Sequence, residues 1–145
     1  VSSYSSSVSV DWGTLPYTNL VVVGGPGVNL LSLYYNDSSP FPWLYTPGVE
    51  SCIYSTLTGR CYRSGYRRHD YAVIWLHYDE SNYRNALVVW GLSGWGTQAA
   101  CHVLQHYQEY GDLLRGSAVI VKWTNANNNY MVDDGDTFEL VESWP

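Results

Sequence analysis

Twice in this chain a short β-branched run meets a glycine-rich turn and continues as an apolar, helix-prone segment: "LVVVGGPGVNLLSLYY" over 20–35 and "ALVVWGLSGWGTQAACHVLQHYQEY" over 86–110. The second unit returns to a further strand, "SAVIVKW", at 117–123. That succession predicts an α/β domain with a mixed, partly parallel sheet and right-handed crossovers. Two β-branched and aromatic runs, "YAVIWLHYD" (71–79) and "NALVVWG" (85–91), are joined by the polar "ESNYR" and read as a strand pair that adds antiparallel character. "TFELVESW" (137–144) reads as a last strand. Helices are expected over 28–35 and 96–111, the second capped by Thr97, striped by Ala100, Val103, Leu104 and Tyr107, and ended by Gly111.

Between the two units, residues 37–70 form a β-rich excursion dense in Pro, Gly, Ser and Tyr. Cys52 and Cys61 flank "IYSTLTGR", where Thr58 and Gly59 suit a hairpin turn, so the two thiols can come close enough to bond. Closing so short a loop is worth about 2.5–3 kcal/mol on the chain-entropy model and requires oxidising surroundings. Spacing alone leaves a pair of reduced, buried thiols as the alternative. Cys101 reads as a small buried hydrophobe. The chain starts at Val1 with no methionine and no basic-plus-apolar leader, which suits an exported chain after signal-peptide removal. Residues 1–18 read as an N-terminal arm and 19–145 as a single α/β domain. The alternation in "VSSYSSSVSVDW" suits an edge strand, paired within its own sheet or with a neighbouring copy.

The charged fraction is 14%, against 46% hydrophobic and 16% aromatic residues, so charge is not what keeps this surface wet. With a net charge of −6 and a single lysine, Lys122, the chain offers no basic field to a polyanion, and nucleic acid is set aside as a partner. No run approaches the roughly 20 apolar residues of a membrane-spanning helix.

Several motifs suggest chemistry and then fall short of it. The "GGPGVN" turn lies where a helix N-terminus can face a phosphate. However, Asn29 stands at the third glycine of the dinucleotide fingerprint, and Pro26 removes an amide. Ser93 follows a strand and precedes a helix like a hydrolase nucleophile, but Trp95 replaces the last glycine of G-x-S-x-G, adding bulk where helix and strand approach. Asp70 with His69 or His77 could be imagined as its partners, yet their spacing favours no triad. Cys101, His102 and His106 share one helix, and the histidines lie at i, i+4 as zinc ligands do, without the glutamate or third ligand such a site needs. Asp133, Asp134 and Asp136 around Gly135 are calcium candidates in an extracellular protein, one residue out of EF-hand register. "NDS" makes Asn36 a glycosylation acceptor in a loop. No catalytic residue or resident cofactor is expected.

Together, "LVVVGGPGVN" and "LVVWGLSGWGTQAACHVL" followed by "GSAVIVKW" resemble the paired motifs of archaeal S-layer proteins and related surface proteins, over about residues 19–35 and 71–124. The resemblance implies an architectural role for Gly24, Gly25, Pro26, Asn29, Gly94, Gly96 and Thr97, and no enzymatic activity. The function expected is an exported structural protein that assembles with copies of itself into a cell-surface filament, appendage or lattice, since low charge and abundant aromatics suit a surface covered by its own kind. The alternative is a secreted hydrolase or small-ligand module using the loops above the strand ends.

Overall fold

The computed structural model describes residues 10–14 and 18–145. In chain order its elements are β1 (Leu20–Val23), α1 (Leu30–Tyr35), β2 (Trp43–Thr46), β3 (Val49–Tyr54), β4 (Cys61–Tyr62), β5 (His69–Asp79), β6 (Arg84–Gly91), α2 (Gly94–Gln105), α3 (Tyr107–Tyr110), β7 (Ala118–Thr124) and β8 (Thr137–Trp144). A mixed sheet runs β1-β6-β5-β7-β8, and β2-β3-β4 form a smaller antiparallel sheet. The α/β class and the mixed sheet match the expectation, with β1 and β6 as the parallel pair.

The eleven residues of β5 are the axis. Strands β6 and β7 flank it, both antiparallel to it, so they run the same way and α2 crosses over β5 to join them. Because both faces of β5 are covered, its apolar residues are nearly continuous instead of alternating. Val73 and Trp75 face a core with Tyr35, Phe41, Ile53 and Val88, roofed by α1 and the small sheet. Ala72 and Ile74 face a second core with Val89, Val119, and Ala100 and Val103 of α2.

Both helices depart from their expected bounds for local reasons. α1 starts at Leu30 because Asn29 caps it, accepting from Leu31 N (2.9 Å) and Ser32 N (3.3 Å). α2 starts at Gly94, and Thr97 lies inside its first turn, where its hydroxyl accepts from Gly91 N at 3.0 Å instead of capping. It ends at Gln105, since His106 leaves helical geometry at φ −109°, ψ 38°, before the short α3 and a 3₁₀ turn at Gly111–Leu113. Tyr107 therefore lies exposed, outside the apolar stripe.

The excursion holds the disulfide. β3 and β4 pair Tyr54 with Cys61, Gly59 turns the hairpin at φ +74°, and Cys52 and Cys61 bond with Cα atoms 5.5 Å apart. Its loop clamps onto β8: Ser55 Oγ donates to Glu142 Oε1 at 2.6 Å, while Thr58 Oγ1 and Tyr62 OH donate to Oε2. At the other end Trp12–Thr14 form a 3₁₀ turn, and Trp12 packs edge-on against Tyr34 and Tyr35. The strand expected over residues 1–10 lies outside the described residues except for Val10. Among the described residues no helix is long and apolar enough to cross a membrane.

Candidate functional site

Parallel pairing of β1 with β6 brings the two glycine turns to the same end of the sheet. Gly24, at φ +107°, donates its N–H to Val89 O at 2.9 Å, and a Cβ on Gly25 would sit 3.4 Å from Gly91 O. From here α1 passes to one face and α2 to the other. Between the turns this divergence opens a crevice of about 570 Å³, walled by Trp43 and Trp90. Crevices of that origin hold ligands in many α/β sheets.

Here the chain's own side chains fill the anion positions. In the first turn Asn29 Oδ1 takes the helix amides, its Nδ2 donates to Val23 O at 2.8 Å, and Ser32 Oγ donates to Gly24 O. In the second, the buried Asp70 carboxylate does the capping. Its Oδ2 accepts from Ser93 N (2.9 Å), Ser93 Oγ (2.6 Å) and Gly96 N (2.9 Å), and Oδ1 from Tyr71 N (2.8 Å). Burial raises the Asp70 carboxyl above its ordinary value, although the Ser93 hydroxyl and the three amides pull the other way. Among the described residues no charged side chain lines the crevice. It is a packing joint with an apolar mouth.

The joint also explains the glycines. A Cβ on Gly96 would lie 2.4 Å from Asp70 Oδ2, and one on Gly91 2.3 Å from the Gly96 carbonyl carbon. Gly96 fills the close-approach role expected one position earlier, so Trp95 adds no bulk there. Trp95 points outward instead, donating from Nε1 to Tyr130 O at 3.0 Å and meeting Tyr66 edge-on. Gly94 has open space where its Cβ would be and is not sterically required. Gly91 and Asp70 carry the joint and were not singled out for it in the sequence.

Ser93 Oγ donates its hydrogen bond directly to Asp70 Oδ2, and among the described residues no imidazole lies between them. Strand alternation places Asp70 on the α2 face and sends His69 and His77 to the opposite face, where they pack on Tyr71 and on Trp75 and Tyr35.

A different surface stands open at β1. α2 covers β6, β5 and β7 but stops short of the edge strand, so Val21 is 70% and Val23 46% exposed on that face. Val21, Leu87 and Leu76 form one cross-strand row, with Leu76 54% and the neighbouring Tyr78 53% exposed. The ladder to β6 uses alternate residues ending at Gly24, which turns the Val21 N–H and C=O and the Val23 N–H outward. Among the described residues no strand pairs with that side.

The remaining candidates are placed as follows. Asp133 accepts from Asn127, Asn129 and Gly135, and Asp136 accepts from Trp123 Nε1, Ala126 N and Asp133 N. Their oxygens are therefore turned to N–H donors within the turn. The Asn129 side chain, ahead of the Gly135 amide and Asn127, holds the Asp133 carboxyl below its ordinary value. Asp134 instead reaches α2, its Oδ1 2.9 Å from His102 Nε2. Cys101 is half-buried, a correction to its expected full burial, and burial raises its thiol pKa. Asn36 is also corrected: it is 3% exposed in a 3₁₀ turn, with Nδ2 donating to Trp43 O and Oδ1 accepting from Trp43 N. A glycan on that nitrogen is incompatible with the fold. No protein-family model, curated protein or solved structure matches this chain.

Proposed function

We propose that this chain is an exported structural protein whose copies assemble into an extracellular polymer of filament or S-layer type. One observation carries the reading: among the described residues no strand pairs with the outer edge of β1, and the exposed apolar side chains of Val21, Leu76 and Tyr78 lie on the sheet beside it. Long-lived monomers blunt such edges with charge, proline or a covering loop. A neighbouring strand that joins this edge satisfies its outward amides and covers the valines together. The disulfide agrees with an oxidising, extracellular setting, and the architectural use of both glycine turns agrees with the S-layer resemblance. The purified native chain is expected to form regular oligomers or fibres by light scattering and negative-stain microscopy, and a monomer at all accessible concentrations would end the proposal.

A second reading, a small-ligand module, is favoured by the crevice between the glycine turns. Its expectation differs: an apolar ligand would quench Trp43 or Trp90 fluorescence in a chain that stays monomeric.

A further inference from the structure

The loop after β7 and the C-terminal end of α2 with its capping His106 are distant in sequence, His102 and Asp134 being 32 residues apart, yet they meet at His102, His106 and Asp134. One ligand-capable atom from each of these residues lies within 4.8 Å of the others. We propose that this trio binds a borderline divalent transition-metal ion, with zinc as its natural probe, and so ties α2 to the loop before β8.

Three features of the geometry carry this. First, spacing: zinc bonds of about 2.0–2.2 Å in a tetrahedron set ligand atoms about 3.3 Å apart. His102 Nε2 and Asp134 Oδ1 are 2.9 Å apart, joined by a hydrogen bond whose imidazole proton is released when zinc takes its place, and the third ligand belongs to the exposed His106. Second, tautomer: His106 Nδ1 lies 2.9 Å from His102 O. A carbonyl only accepts, so Nδ1 holds the proton and Nε2 keeps a bare lone pair, the arrangement found where a metal-binding imidazole is oriented by a backbone carbonyl. Third, preorganisation: the His102 ring stacks on Phe138 at 5.1 Å with an 11° interplanar angle, and Tyr110 packs beside it. On the other side, bonds to Asp133 and Asp136 fix the turn that carries Asp134. Two imidazoles with one carboxylate select zinc-like ions over calcium, which prefers an all-oxygen shell. The chain's net charge of −6 favours cation binding, and three protein ligands leave the fourth position of a tetrahedron open.

The test uses the intact chain, stripped of metal with chelator and titrated with zinc chloride by isothermal calorimetry. One zinc per chain is expected. His106→Gln and Asp134→Asn should each weaken binding by at least about tenfold and abolish the zinc-induced rise in Tm. Both side chains are exposed, so the variants should keep the wild-type near-ultraviolet circular dichroism. Cys101→Ser, beside His102 but outside the trio, should bind as the native chain does. Absence of zinc binding, undiminished binding in both ligand variants, or loss of binding in Cys101→Ser would overturn the assignment.

Discussion

Asp70 shows how much one buried carboxylate can organise. Its Oδ2 gathers two backbone amides and a hydroxyl at the start of α2, and Gly96 leaves it the room to do so. Gly96→Ala should cost about 1–3 kcal/mol, as overpacking does, since neither the helix backbone nor the carboxylate can retreat. In urea melts the exposed Gly94→Ala should be neutral or mildly stabilising, and equal costs at both glycines would refute this account. On the opposite face the Tyr35 hydroxyl donates to Asp79 Oδ2 at 2.7 Å, joined by Asn82. Burial alone would raise the Asp79 carboxyl, but hydrogen bonds from Tyr35 and Asn82 outweigh it and hold the group below its ordinary value. A depressed folded-state value stabilises fully above the unfolded carboxyl pKa of about 3.9 and is lost as pH falls through the folded value. Tyr35→Phe should therefore cost about 1–3 kcal/mol at neutral pH and distinctly less at about pH 2–3. A cost that does not change with pH would mean that the tyrosine contributes only packing.

At the scale of elements, the disulfide hairpin is fixed at both ends. The Cys52–Cys61 bond closes it, and Glu142 of β8 receives three hydroxyl donors from its loop and from β4. Glu142→Gln leaves one oxygen to do the work of two and places an amide donor against hydroxyls that already donate. The expected loss is about 1–2 kcal/mol, or roughly 2–8 °C in Tm. The disulfide should persist in the variant, as mass spectrometry of the non-reduced digest would establish. An unchanged Tm would mean that the clamp is too solvated to matter.

At the scale of the whole molecule the two faces of the sheet are unequally covered. α1 and the small sheet roof one face, whereas α2, with Tyr110, Leu113 and Leu114 after it, serves the other and leaves Val21 and Val23 at the β1 margin exposed among the described residues. If that margin is the contact between copies, a charge there should prevent assembly without unfolding the domain. Val21→Lys, at a position already 70% exposed, is expected to leave Tm near that of the native chain and to give monomers by light scattering. Normal assembly of that variant would move the interface elsewhere.

Local pattern alone determined the β-branched runs, both strand–turn–helix units, the β5–β6 pair and the cysteine hairpin, because those features depend on period, turn chemistry and short loop closure. Helix ends were less legible: Asn29 and Ser93 precede their helices by a residue, and the bond that fixes Thr97 goes back to Gly91. Only the tertiary structure decided which distant groups meet. Nothing near Asp70 in sequence indicates that its carboxylate closes a turn 23 residues away, and nothing near His102 points to Asp134. The buried amide of Asn36 reads locally like any exposed acceptor. The reason is physical: chain propensities act over a few residues, whereas the partner of a buried polar group is fixed by strand order and by which face each helix covers.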